Sequence, residues 1–147
     1  MLELTETIIT LDTEATVEIM RALKRQGVRI ALDDFGTGYS SLRYLRSFPL
    51  DALKIPRFFV EGIERSFEDS ALARATLQLG DTFGLDVVAE GVETREQVEA
   101  LMRLGCRFAQ GFFLGRPQAP EVLEATFAAE PVLAKSRKAA ARGPRAA

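Results

Sequence analysis

"RIALDDFGTGYSSL", residues 29–42, sets an apolar run against two adjacent aspartates and a turn bracketed by glycines. Neighbouring carboxylates repel by roughly 1 kcal/mol in water and by several times that where water is scarce. The pair therefore asks for a balancing cation. The apolar run reads as a short strand over 28–32, which puts Asp33 and Asp34 at its C-terminal end.

Outward from this stretch, similar runs at 2–5, 51–55, 85–89 and 107–110 also read as strands. Longer segments with helical spacing separate them. Thr13 to Gln26 offers Val17, Ile19, Met20 and Leu23 for burial and stops at Gly27; Ser66 to Phe83 offers Leu72, Thr76, Leu79 and Phe83 and stops at Gly84. Thr94 and Gln97 have the spacing of a capping box for a helix running to Gly105, and a last helix is expected from Ala119 to Ala129. Strands separated by helices pair in parallel, in an open sheet or a (β/α)8 barrel.

The polar residues favour the barrel. Asp33 and Asp34, Lys54 in "LDALKIP", Glu90 in "LDVVAE" and Gln110 in "RFAQ" all fall at the C-terminal ends of successive strands, and Glu3 on the first strand can join them. In a barrel these ends ring one mouth, where active sites of that architecture are built. The expected fold is α/β, with the parallel strands in an open sheet or a (β/α)8 barrel. A cation between the carboxylates would turn repulsion into coordination. The chain has no histidine and one cysteine, Cys106, so the ligands would be oxygen and the metal Mg²⁺ or Mn²⁺ rather than zinc. Cys106 reads as a small buried apolar residue.

With 147 residues, 47% hydrophobic and 27% charged, the chain can build one real core and is expected to be soluble and globular. No stretch reaches a membrane span, and the acidic start lacks a signal-peptide pattern, so a cytoplasmic address is expected. Charge is uneven. Lys135, Arg137, Lys138, Arg142 and Arg145 lie beyond Pro131 with no acid, leaving 14 basic against 21 acidic residues before them. An acidic body is a poor nucleic-acid binder; residues 131–147 read as a basic, disordered tail after a domain spanning 1–130.

The order of these motifs resembles that of a known family. "LELTET", "ALDDFGTGYSSLRYL", "LKIPRFFVEGI", "VVAEGVET" and "AQGFFLGRP" are similar, over roughly residues 1–122, to the C-terminal part of an EAL domain, the bacterial hydrolase of cyclic di-GMP. The resemblance implies a modified (β/α)8 barrel of the TIM type that cuts cyclic di-GMP to pGpG with two Mg²⁺ or Mn²⁺ ions, and makes this α/β chain a partial barrel with about five of its eight βα units. By motif position it makes Glu3, Asp33 and Asp34 metal ligands, with Asp33 bridging both ions. It makes Glu90 the group that orients metal-bound water and acts as general base, and Lys54 the contact to the attacking water. Gln110 would line the substrate site. Gly36, Thr37, Gly38, Tyr39 and Ser40 resemble the loop linking the metal site to a dimer contact, with Glu93 helping to hold that loop; a homodimer is expected on the same ground.

Three look-alikes fall away. "DFG" at 34–36 cannot belong to a protein kinase, whose catalytic loop needs a histidine. "GTGYSS" lacks the lysine of a phosphate-binding Walker loop. Glu99, Ala100 and Leu101 spell the family's signature by coincidence, inside a helix where Glu99 sits four residues from both Arg95 and Arg103.

Departures from the family matter equally. The signature glutamate and a later metal-binding asparagine, expected on earlier strands, are expected to be lacking in this chain, and Pro56 stands where the family usually has the aspartate of "LKID". One lost electrostatic group typically costs about 10²–10³ in rate. The isolated chain is therefore expected to be weakly active or inactive. It would be completed by an N-terminal EAL fragment, with an upstream sensor domain as a further partner. The alternative is a degenerate module that binds cyclic di-GMP or a protein without catalysis.

Overall fold

The computed structural model describes residues 1–5, 13–36 and 42–129. Thr37, Gly38, Tyr39 and Ser40 of the expected coupling loop, and the basic tail at 131–147, lie outside the described residues. The chain divides into two units, Met1–Gly115 and Arg116–Ala147.

In the first unit the strands are β1 (Leu2–Thr5), β2 (Ile30–Asp33), β3 (Ala52–Ile55), β4 (Asp86–Ala89) and β5 (Phe108–Ala109). The helices between them are α1 (Thr13–Arg25), α2 (Leu42–Ser47), α3 (Arg57–Glu61), α4 (Phe67–Phe83) and α5 (Arg95–Arg103). All neighbouring strands pair in parallel, and the sheet order is β1-β2-β3-β4-β5. Each strand is thus laid beside its predecessor without the reversal that marks a doubly wound sheet. This is the winding of a barrel, and the chain supplies a five-strand arc of it.

The core sits around the middle of that arc. Ile30, Ala31, Leu32, Ala52, Leu53 and Ile55 are all buried, as expected of parallel strands covered on both faces. β1 and β5, at the two ends, are largely exposed.

Helix punctuation matches the sequence signals. Ser66 caps α4 by accepting from the Asp69 N–H at 3.1 Å, and Thr94 and Gln97 form the reciprocal capping box of α5. Gly84 ends α4 at φ 68°, a left-handed turn suited to glycine.

Two burial expectations are corrected. Ile19 is 61% exposed, while Met20 takes the buried position with Val17 and Leu23 packed partly beside it. On α4, Leu72 and Phe83 face solvent, and the buried stripe is Ala73, Thr76 and Gly80. The reason is proximity: a Cβ on Gly80 would lie 2.2 Å from Val87 Cγ2, so small residues let the helix approach β4 closely. Apolar spacing favoured the large side chains, but the sheet leaves no room for them. Cys106 is half-buried against the core, its thiol directed to the Phe108 carbonyl at 3.2 Å.

In the second unit the described residues form α6 (Pro120–Ala129), opened by a proline whose missing N–H would be unpaired there in any case.

Candidate active site

Strand register decides which side chains share a face. Glu3 pairs with Ala31 and Thr5 with Asp33, so Glu3 and Asp33 point to the same side of adjacent strands. Lys54 pairs with Val88, two residues before Glu90. Beyond the paired residues, the Glu90 N–H donates to the Ile55 carbonyl at 3.0 Å, and the Gln110 N–H donates to the Ala89 carbonyl at 2.8 Å. The backbone therefore keeps its ladder just past β4 and β5, and holds both side chains at the strand ends.

Lys54 is the focus of the cluster. Its ammonium lies 2.8 Å from Glu3 Oε2 and 3.3 Å from Asp33 Oδ1, and it also bonds Glu90 Oε1. Gln110 Nε2 donates to the same Glu90 oxygen at 2.6 Å. The Lys54 side chain is only 3% exposed. Burial works against its charge, but hydrogen bonds to Glu3 and Glu90, with the charges of Glu90 and Asp33, outweigh burial and hold the ammonium above the ordinary lysine range. Burial pushes the Glu90 carboxyl above its ordinary range; Lys54 pulls it back only in part, while Asp33 and Glu3 push it further up.

Asp34 takes a different course. Its φ is 54°, it is exposed, and its N–H donates to Asp33 Oδ1 at 3.0 Å. A left-handed residue breaks the strand's alternation, so Asp34 does not continue the face that Asp33 belongs to. The two adjacent aspartates thus part company. Lys54 balances Asp33, and solvent meets Asp34.

Residues 1–117 match the family model of the EAL domain. The chain belongs to the EAL domain family. It is 48% identical over 128 residues to the bifunctional diguanylate cyclase/cyclic di-GMP phosphodiesterase MucR of Pseudomonas aeruginosa, a match covering 87% of this chain and 19% of that protein. Against the solved MucR phosphodiesterase in complex with c-di-GMP, the TM-score is 0.77 over 83% of this chain and 49% of that one, again at 48% identity. The EAL domain of Mycobacterium smegmatis DcpA superposes with a TM-score of 0.81 at 43% identity, covering 89% of this chain and 59% of that one. A manganese and cy-diGMP complex of Klebsiella pneumoniae BlrP1 gives a TM-score of 0.73 at 36% identity, over 78% of this chain and 29% of that one. The chain thus spans about half, or less, of the lengths of most of these relatives.

In this EAL chain three of the four expected carboxylates, Glu3, Asp33 and Glu90, do gather, but around an amine. Among the described residues no group of three or more acidic, cysteine or histidine side chains is placed to hold one metal ion. The donors nevertheless suit a hard divalent cation in kind, because every one is an oxygen and three carboxylates face a single ammonium.

Glu93 binds Arg57, at 3.0 Å. Arg57 stands within "LKIPRFFVEGI", a motif that assigns it no role. Gln97 was legible only as half of a capping box; its buried amide oxygen in fact accepts from both Glu93 and Thr94 N–H groups, at 2.7 and 3.1 Å. No helix among the described residues is long and apolar enough to cross a membrane.

Proposed function

We propose that this chain supplies the Lys54-centred side of a site that hydrolyses cyclic di-GMP to pGpG. The observation that carries this reading is the convergence of Glu3, Asp33 and Glu90, from three parts of the sheet, on the buried ammonium of Lys54, with Gln110 bonded to Glu90. Both contacts to Glu90 fall on Oε1. Oε2 is left to take a proton from the attacking water, while Lys54 sets a fixed positive charge where negative charge develops on the phosphoryl group. Glu3 and Asp33 keep that lysine protonated. Two bound Mg²⁺ or Mn²⁺ ions would lower the pKa of water and neutralise phosphoryl oxygens. Glu3, Asp33, Asp34 and Glu90 are the residues here that would hold them.

A second reading, nucleotide binding without turnover, is favoured by Pro56. It is fully buried at the start of α3 and offers no side-chain oxygen where the family's aspartate would stand. Slow hydrolysis by residues 1–147 alone is expected for the same reason. A parallel βα segment completing the barrel would pair with β1 and β5, the two ends of the sheet.

Calorimetry with cyclic di-GMP, alongside an assay of pGpG with Mn²⁺ present, tests both readings. Saturable binding with slow turnover that Glu90→Gln abolishes supports hydrolysis. Binding with no turnover supports the second reading, and no binding by the folded chain overturns both.

A further inference from the structure

Arg57 is absorbed by none of these roles. It opens α3 directly after Pro56, and its guanidinium takes two carboxylates at once. Nε meets Glu61 Oε1 at 2.6 Å, one turn on in the same helix, and Nη2 meets Glu93 Oε1 at 3.0 Å, in the loop that begins with Glu90. Between these contacts the aliphatic stem lies flat on Gly91. A Cβ there would fall 2.4 Å from Arg57 Cγ and 2.9 Å from Cδ. Gly91 also has φ 65°, a left-handed conformation. The Glu90 loop therefore turns and thins at the point where Arg57 crosses it.

The other sides of that loop are equally close. A Cβ on Gly111 would lie 2.1 Å from the Val92 carbonyl oxygen and 2.2 Å from its nitrogen. The Val92 N–H donates to the Gln110 carbonyl, and the Phe113 N–H to the Val92 carbonyl, each at 3.0 Å. Gln97 holds the Glu93 and Thr94 N–H groups from within α5. These contacts tie the loop to α5 and to the segment after β5; the Glu90 N–H bond to the Ile55 carbonyl ties its first residue to the end of β3, and Arg57 ties its far side to α3. The arrangement is a poor receptor for a free phosphate, since two carboxylates already occupy the fork of one guanidinium.

We propose that Arg57 is a positioning residue for Glu90. By spanning Glu61 and Glu93 it locks the Glu90 loop to α3, the helix directly after Lys54's own strand, and so fixes the separation of the Lys54 ammonium and the Glu90 carboxylate. The proposal rests on reading Lys54 and Glu90 as site residues, and its test does not depend on turnover.

Hydrogen exchange over residues 90–94 of the full chain, followed by mass spectrometry, is the direct measurement. Arg57→Ala and Glu93→Gln are each expected to speed exchange there about two- to fivefold, the range of one exposed ion pair. The double variant should be no faster than Arg57→Ala, and protection in α4 should not change. Arg57→Lys should fall between wild type and Arg57→Ala, because a single ammonium cannot span both carboxylates. Unchanged exchange in Arg57→Ala, or effects of the two single changes that multiply in the double variant, overturns the clamp. In a pGpG assay with Mn²⁺, Arg57→Ala should lower kcat and leave KM unchanged; a rise in KM alone overturns the positioning role. A wild-type chain without turnover counts against hydrolysis, and the exchange result still decides the clamp.

Discussion

Lys54 of β3 bonds Glu3 of β1 at 2.8 Å, reaching across the whole of β2. Neighbouring strands lie about 4.8 Å apart, so the contact spans two strand spacings. It needs a long side chain and a shared face. The same ammonium collects Asp33 from the intervening strand and Glu90 from the far side. One cation thus links four consecutive segments, and its removal would leave three carboxylates facing one another.

Lys54→Met is accordingly expected to destabilise the fold by about 1–3 kcal/mol. This is less than a fully buried pair would lose, because the carboxylates keep some contact with water. Chemical denaturation at neutral pH measures the loss. The deficit should shrink in acid as the Glu90 carboxyl, which burial already raises, takes up its proton; a deficit that persists there would assign the effect to packing instead.

Pro56→Asp tests whether the site lacks one carboxylate. Pro56 has φ −60° and ψ 148°, an extended geometry that aspartate also adopts, and it sits at the N-cap of α3 with no side-chain cap. An aspartate could accept from an N–H of the first turn, a gain of about 1 kcal/mol that offsets the loss of proline's rigidity, but Pro56 is fully buried and a carboxylate there also loses its hydration. Stability is therefore expected to fall, by an amount that thermal unfolding reads, because the new carboxylate is taken out of water. Turnover of cyclic di-GMP with Mn²⁺ should rise by roughly tenfold or more if an electrostatic group has been restored. An unchanged rate, with the variant folded, would show that Pro56 does not limit the reaction.

The strands and long helices were legible because their signals are local. Val and Ile runs, the Ser66 and Thr94 caps and the glycines at 27, 84 and 105 mark ends that the structure keeps to within a residue or two. α2 and α3, with six and five residues, are too short for periodicity to reveal. At the site, Glu3, Asp33, Lys54, Glu90 and Gln110 could be placed at one mouth by counting along strands. The choice of Lys54 as their centre could not, because it depends on side-chain reach across two strands. Arg57 was invisible for a related reason: its partner Glu93 lies 36 positions away in the chain, and only the register of β3 with β4 brings them together.

Acid sensitivity should trace to the opposite end of the sheet. Asp51 precedes β3, accepts from the Ile30 N–H at 2.8 Å and pairs with Lys24. Burial raises its pKa, but the Lys24 and Ile30 hydrogen bonds and the charges of Lys24 and Arg29 outweigh that and leave it below the ordinary carboxylate range. A depressed folded-state pKa adds stability above the unfolded value, and that stability is lost as pH falls through the folded one. Asp51→Asn should thus lower Tm most at neutral pH, and its curve should approach wild type below about pH 4. Parallel curves down to pH 3 would place the acid-sensitive group elsewhere.

Gly111→Ala should be the most damaging single methyl in the loops. The added Cβ would meet Val92 backbone atoms at 2.1 and 2.2 Å, and backbone cannot swing aside as a side chain can. Gly91→Ala differs, since its Cβ would meet the flexible stem of Arg57. Overpacking of this kind costs about 1–3 kcal/mol, and for Gly111→Ala the upper end is expected because Val92 also carries the hydrogen bonds to Gln110 and Phe113. Removing Arg57 should relieve part of the Gly91→Ala penalty and none of the Gly111→Ala penalty. Thermal unfolding of the two double variants separates the cases: relief of both by Arg57→Ala would mean that the loop moves as a loose unit and is not wedged between two separate neighbours.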